Sequence, residues 1–392
     1  MKKILYTIAF LIPTMFWAQT VQDSITFNPQ QQLNAAQRLL SGNYGQAVTV
    51  GAYGEITYNQ PEGSNGELDV QRLVLLFGYK FSDKAQFVTE VELEHVEEVF
   101  VEQAFVNYAV APNFSVRGGL MLVPMGIVNE FHEPTTFNGV ERPAVDNVII
   151  PTTWREIGVG VTGRFNDISL GYQAYIFNGF KSTTADGEGG VSGFLGGSSG
   201  LRGGRQKGIK STVNSPTLST KLDYYGIPGL RLGLSGYFGK TQATDDVEDI
   251  DGANIGVSMI GLDARYAYQR FAARGQFVHT SLSDTAAYNE LTGRDLGSQL
   301  QGWYIEGAYN LLSQDKKQRL FAFVRYEKYD THADTDGDLI RNDAYNRTDI
   351  TTGISYHIAP GVVLKGDYQF RDNAVSGGDV QDRLNFGIGV WF

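Results

Sequence analysis

From Gly45 onward, apolar residues recur at every second position in runs of about ten, with charged residues on the positions between. A period of two places the apolar side chains on one face of a strand and the charges on the other. At 67–81, Leu73, Leu75, Phe77 and Tyr79 share a face and Arg72 and Lys80 fall opposite. At 84–94, Phe87, Val91 and Leu93 oppose Glu90, Glu92 and Glu94. The same reading holds at 113–123, 154–166, 167–179, 215–225, 229–240, 254–268, 269–283, 299–312, 317–330, 346–358, 361–372 and 379–392. Residues 98–110 are apolar on both faces, so their register is left open.

With the run at 45–59, the count is about 16 strands. Their connections alternate in length. Ser82–Lys84, Ala111–Asn113, Asn166–Asp167, Gly226–Gly229, Gln269–Arg270, Ser313–Lys316 and Ala359–Gly361 are short; 124–153, 180–213, 241–253, 284–298 and 331–345 are long. A soluble sandwich gives no reason for this alternation, whereas an antiparallel barrel in a membrane has short turns at one end and long loops at the other. Past the N-terminus no stretch reaches the roughly 18 apolar residues of a membrane helix. A barrel needs none, because lipid-facing and lumen-facing residues average out, and the mean hydropathy is −0.21. The expected fold is an all-β transmembrane antiparallel barrel with an aqueous interior.

The last run, Asp382–Phe392, carries Leu384, Phe386, Ile388, Val390 and Phe392 on one face. It resembles the closing strand of bacterial outer-membrane barrels, whose terminal aromatic strand is read by the insertion machinery. At the other end, Lys2 and Lys3 precede an apolar stretch from Ile4 to Trp17, and Ala18 before Gln19 fits a cleavage point. Residues 1–18 are therefore expected to be a signal peptide, 19–44 a polar N-terminal tail and 45–392 the barrel. Without Lys2 and Lys3 the chain has 30 basic and 43 acidic residues, a net charge of −13, which argues against nucleic acid as a partner. The absence of cysteine excludes disulfides, thiolate metal sites, a cysteine nucleophile and a lipid-modified cysteine.

The strand periodicity turns Arg72, Lys80, Arg117, Arg164, Lys221, Arg231, Arg265, Arg274, Arg325, Lys365 and Arg371 inward, about one per strand. Glu90, Glu92, Glu156, Asp223, Asp263, Glu306, Glu327 and Asp367 are interleaved with them. A mixed lumen of this kind predicts a transverse field that orients dipolar solutes rather than concentrating one ion.

The third outer connection, 124–153, is apolar for an exposed loop. It carries Ile127, Val128, Phe131, Phe137, Val145, Val148, Ile149 and Ile150, braced by Pro124, Pro134, Pro143 and Pro151. Prolines forbid ladder pairing and stiffen the segment. Folded into the lumen, such a loop would narrow it and present Glu130, His132, Glu133, Asn138, Glu141, Arg142 and Asp146 to solutes. The stretch GGLMLVPMGIVNEFHEPTTFNGVERP (118–143), followed by IIPTTWREIGVGVTG (149–163), is similar to the phosphate-selective porin O and P family, in its Bacteroidetes-type form. The resemblance covers nearly the whole mature chain. It implies a trimeric 16-stranded outer-membrane channel, with an inward third extracellular loop, for small polar or ionic solutes, phosphate and other anions among them. The best-known members use a ladder of arginines and a cluster of lysines, a pattern the interleaved charges here depart from.

Other chemistry is sparse. Asp334, Asp336 and Asp338 around Gly337 resemble the start of a calcium loop, without the downstream bidentate glutamate. Asp245, Asp246, Glu248, Asp249 and Asp251 form a second acidic loop. The glycine-rich stretch 186–208 lacks a phosphate-cradling motif and reads as a flexible loop, and Arg202, Arg205, Lys207 and Lys210 make it the most basic segment. His95, His132, His279, His332 and His357 show no HExxH spacing, and no GxSxG occurs. A non-enzymatic outer-membrane channel without a resident cofactor is the expectation. A barrel enzyme or a loop-based adhesin is the alternative.

Overall fold

A computed structural model describes residues 29–41, 47–244, 246–377 and 380–392. The expected signal peptide and the first part of the tail lie outside the described residues. The strands in chain order are β1 (Val48–Pro61), β2 (Glu67–Lys80), β3 (Ala85–Glu94), β4 (Glu98–Ala111), β5 (Phe114–Leu122), β6 (Arg155–Phe165), β7 (Leu170–Phe177), β8 (Lys181–Ala185), β9 (Val191–Gly193) and β10 (Thr217–Tyr224). They continue as β11 (Leu230–Lys240), β12 (Gln242–Ala243), β13 (Gly256–Tyr268), β14 (Phe271–Leu282), β15 (Gln299–Asn310), β16 (Arg319–Asp334), β17 (Asn346–Ala359), β18 (Val362–Asn373) and β19 (Arg383–Trp391). Sixteen of these close into one antiparallel barrel, while β12, β8 and β9 form a small separate sheet. Short helices α1 (Ala35–Ser41), α2 (Val145–Val148) and α3 (Thr285–Thr292) complete the described elements used below.

Closure is made by the terminal strand. β19 pairs with β1 from Tyr53↔Trp391 to Pro61↔Arg383, and the Ala52 and Phe392 amides exchange hydrogen bonds with each other's carbonyls, both at 2.9 Å. Closure gives the edges of β1 and β19 the hydrogen-bond partners that lipid could not supply. Leu384, Phe386, Ile388 and Phe392 are exposed on the outer face, as are Phe77, Ile157, Leu234, Ile260, Leu262, Ile305 and Val324.

The open register of 98–110 has a local cause. The β3–β4 ladder slips between Glu90 and Val91, pairing Glu90 with Gln103 but Val91 with Val101. Glu102 is the extra residue of a β-bulge. Val99 and Val101 face out before it, Val106, Tyr108 and Val110 after it, and Glu102 and Gln103 are both buried. One inserted residue converts two clean alternations into an apparently two-faced run.

The glycine-rich stretch is not the loose loop its composition suggests. Leu195 and Leu201 are fully buried, and Arg202 and Arg205 donate to the carbonyls of Thr152, each at 2.8 Å. Burial pushes the Arg205 guanidinium down to about 9. Glycine permits the close packing that a composition rule mistakes for flexibility.

Candidate functional site

Residues 123–154, the third outer connection, are tied to inward-facing side chains around the wall. The Ile127 amide donates to Gln276 Oε1 on β14 at 2.7 Å, and the Val140 amide donates to Asp367 Oδ2 on β18 at 2.6 Å. Wall donors meet the loop's carbonyls: Arg72 Nη2 on His132 at 2.7 Å, Lys365 Nζ on Gly139 at 2.8 Å, Arg274 Nη1 on Thr136 at 3.1 Å, and Lys221 on Gly126. Side chains add Gln173 to Glu130 at 2.8 Å, Asn138 to Glu306 at 2.8 Å, Asn59 to Glu141 at 3.0 Å and Gln276 to Asp146 at 3.0 Å. A buried non-regular segment leaves backbone polar groups that must be met, and the inward charges of the wall meet them.

Apolar contacts complete the seat. Met125, Ile127, Val128, Val145, Ile149 and Ile150 are buried in one cluster with Tyr53, Val74, Phe105, Val278, Leu300 and Tyr304 of the wall. Two glycines of β19 leave the room. A Cβ on Gly389 would stand 2.7 Å from Pro134, and one on Gly387 would stand 3.2 Å from Val140.

Most charges read as inward are inside and paired. Arg72 bonds Glu55 at 2.7 Å, Lys221 reaches Glu130 at 3.2 Å, and Arg325 reaches Glu327 at 2.7 Å and Glu306 at 3.4 Å. Arg117 donates to Asn107 at 2.9 Å. Glu156 accepts from Trp154 Nε1 at 2.9 Å and Tyr237 at 2.9 Å. Glu90, Glu92, Asp223, Asp263 and Lys365 are buried, and Arg371 is half-buried at the long-loop end of β18. Two residues stand elsewhere. Lys80 and Arg164 are exposed at the short-turn end, Lys80 on Asp83 at 2.9 Å and Arg164 over the Tyr225 ring at 4.8 Å. Both lie on the last turnward residues of their strands, where an inward parity no longer means a lumenal position.

The charges are also less scattered than one per strand suggests. Arg231 pairs with Arg265 across β11 and β13, Arg265 pairs with Arg274 across β13 and β14, and Arg274 pairs with Glu306 on β15. Three guanidinium groups therefore sit side by side in one row. Like charges directly opposite each other destabilise a sheet, and carboxylates beside the row offset that repulsion. Asp223 takes both ends of Arg231 at 2.9 Å, and Glu306 takes Arg274 at 2.8 Å. Arg265 is 4% exposed and lies 3.9 Å from Asp223 and 4.0 Å from Asp263, while none of its three guanidinium nitrogens has a hydrogen-bond partner among the described residues.

Two voids flank the loop. One, with a cavity volume of about 90 Å³, is lined by Gln32, Arg38, Thr136, Phe137, Asn138, Arg265, Arg274, Glu306 and His357. The other, with a cavity volume of about 200 Å³, is lined by Glu55, Arg72, Glu92, Glu94, Phe137, Glu141, Arg142 and Arg202. Phe137 borders both, with Lys365 Nζ 3.7 Å from its ring centre. Neither Phe137 nor the row is visible in a single strand's sequence. The α1 helix of the tail also enters the contact set: Ala35 donates its amide to Glu133 at 2.8 Å, and Arg38 lies 4.4 Å over the Trp391 ring.

The closed 16-stranded antiparallel barrel is the part of this arrangement that the comparisons with known proteins share. The family described as phosphate-selective porin O and P matches residues 49–368. The chain belongs to that family. A relative from Aquifex aeolicus (strain VF5), described as an uncharacterized protein, is 34% identical over 348 residues, covering 83% of this chain and 76% of the relative. Among solved structures, an anion-selective porin from Comamonas acidovorans superposes with a TM-score of 0.57 at 14% identity, over 88% of this chain and 99% of that one. The outer membrane channel DcaP of Acinetobacter baumannii gives 0.57 at 11% identity, over 88% and 97%. The porin is thus an outer-membrane protein and a passive channel, and the structural likenesses support its fold.

The calcium expectation finds no ligand set at its residues. Asp336 accepts from Thr285 at 2.9 Å, Asp334 accepts the amide of Thr335 at 2.9 Å, and Asp338 is exposed. The three do not form a converging group among the described residues. Among the described residues the one group of three that converges is Glu90, Glu102 and His132.

Proposed function

We propose that this porin passes small anions and dipolar polar solutes, with phosphate-sized oxyanions within its range. Solutes enter past the mixed charges of Glu55, Arg72, Glu92 and Arg142, turn around Phe137 and leave through the chamber that Arg265 and Arg274 line. The third loop sets the cut-off there, with Asn138, Glu141, Arg142 and Phe137 as the groups bordering the path. Glu130, His132, Glu133 and Asp146 are buried against the wall and hold the loop in place. The row Arg231–Arg265–Arg274 supports this most strongly, above all the Arg265 guanidinium, whose only carboxylate neighbours among the described residues, Asp223 and Asp263, lie at 3.9 and 4.0 Å, because N–H donors without hydrogen bonds are what a passing oxyanion replaces its water with.

The reading also takes the porin as a homotrimer delivered to the membrane by the barrel-assembly machinery, with Leu384, Phe386, Ile388, Val390 and Phe392 as the strand it reads. Family membership supports the trimer. It further takes the chain as a conduit with no turnover. The test is flux of radiolabelled inorganic phosphate and of chloride from proteoliposomes. Retarded chloride flux in the presence of phosphate, with both solutes recovered unchanged, is expected. Flux of potassium but of neither anion would refute the anion assignment.

A further inference from the structure

Away from both chambers, the third loop meets β1, β3 and β4 in a knot of acceptors with too few hydrogens. Glu90, Glu102 and His132 each place a ligand-type atom within 4.8 Å of the others, and their exposures are 0, 0 and 2%. His132 Nδ1 lies 3.0 Å from the Asn129 carbonyl oxygen, and a carbonyl only accepts. In the neutral ring the proton is therefore on Nδ1, and Nε2 turns a lone pair toward Glu102 Oε2 at 3.2 Å. The Tyr53 hydroxyl stands 2.9 Å from that nitrogen and 3.1 Å from that oxygen, yet it has one proton to give. Glu102 Oε1 and Glu90 Oε2 have no hydrogen-bond partner among the described residues. Arg155 comes no nearer to Glu102 than 3.9 Å. The second oxygen of Glu90 accepts from Gln103 at 2.7 Å. Two buried carboxylates and an imidazole lone pair thus point at one another with oxygens left over, an arrangement that a cation would satisfy.

We propose that Glu90, Glu102 and His132 bind one transition-metal dication of the zinc or manganese type, fastening the third loop to the barrel wall. One imidazole nitrogen with carboxylate oxygens suits these ions, whereas calcium takes oxygen ligands alone. The bond from Nδ1 to a backbone carbonyl is the outer contact that fixes a ligating histidine with Nε2 free. Three donors at about 2.1 Å from one ion stand roughly 3.4 Å apart, so the cluster needs only to draw in through side-chain torsions, with Tyr53 beside it for a fourth position or a hydrogen bond to a ligand. The bulge at Glu102 is what brings a carboxylate from β4 into the set. The site is separate from the conduction path and stands whether or not the barrel conducts.

The full chain, extracted from outer membranes in detergent without chelator, is assayed for metal by plasma mass spectrometry. About one zinc or manganese ion per chain is expected, as for a preformed structural site. His95→Gln, which alters an exposed histidine paired with Asp69 at 2.6 Å, keeps the ion. His132→Gln and Glu90→Gln lose it, with affinity for Zn²⁺ after chelator stripping lowered by roughly 100-fold or more. Folded wild type holding under about 0.1 ion per chain, both as purified and after incubation with Zn²⁺ and Mn²⁺, overturns the proposal and leaves a cluster held by protons. A His132→Gln protein that keeps its ion, or a His95→Gln protein that loses it, shows an adventitious ion only. Should the variants misfold, Co²⁺ added to stripped wild type decides: a visible ligand-field absorption supports the site, and its absence overturns it.

Discussion

Replacing Arg265 by Gln removes the positive charge from the centre of the arginine row and keeps a shorter, neutral hydrogen-bonding side chain. The fold is expected to hold, since Arg231 keeps both bonds to Asp223 and Lys221 remains 4.0 Å from Asp263. An ion passing at roughly 5 Å from a unit charge in water gains or loses about 0.8 kcal/mol. A Debye length of about 10 Å at 0.1 M salt reduces this to about 0.5 kcal/mol. With RT near 0.6 kcal/mol, that favours the anion by about 2.3-fold and disfavours the cation by the same factor, so the permeability ratio changes by about fivefold. At 1 M the Debye length is about 3 Å, and the change falls below about twofold. The assay is the reversal potential across a planar bilayer under KCl gradients centred on the two salt concentrations. Wild type and Arg265→Gln should differ at low salt and nearly coincide at high salt. Equal reversal potentials at 0.1 M, or a difference undiminished at about 1 M, would refute an electrostatic role for Arg265.

Three further outcomes follow from the loop's seat. Arg325→Met leaves Glu306 and Glu327 without the buried guanidinium that reaches them at 3.4 and 2.7 Å; a loss of about 3–5 kcal/mol is expected, read as an earlier midpoint of urea unfolding in detergent. Gly389→Val puts a side chain where Pro134 stands 2.7 Å from a Cβ and Val363 stands 2.9 Å away; about 1–3 kcal/mol of overpacking should shift the loop and change unitary conductance, and an unchanged conductance would contradict the close seat. Burial pushes the Asp146 carboxyl up to about 6 from its ordinary 3.8, and Glu133 moves the same way. The docked loop thus binds that proton more tightly than a released one, so docking is firmest below about pH 4 and loses up to about 3 kcal/mol as the pH rises through 6. Asp146→Asn should flatten this step in the pH dependence of proteolytic protection of the loop, and parallel curves for the two proteins would contradict it.

The barrel was readable in the sequence because lipid imposes an apolar outer face on every strand, and Leu73, Leu234 or Ile305 announce that face unaided. Strand count and the short and long ends followed from the same signal. What one strand cannot show is its register with the next. Arg231, Arg265 and Arg274 read as three separate inward charges and become a row only through pairing. Glu102 was hidden for a related reason, since its bulge breaks the parity on which the reading depends. Lys80 and Arg164 carry the right parity but sit where the wall ends. The apolar, proline-rich character of 124–153 identified a segment that must pack on something. Which of its polar residues border a void and which anchor the loop depends on contacts with residues as distant in sequence as Asp367 and Lys365.

Single-channel recording decides whether the barrel conducts and which ion it prefers. Purified, heat-modifiable protein in a planar bilayer under a KCl gradient should give steady ohmic steps, with a reversal potential of the sign that marks anion preference and a conductance that inorganic phosphate reduces. Folded protein that inserts and gives no steps would contradict an open channel, and would mean that the third loop and the tail helix at Ala35–Ser41 close the barrel.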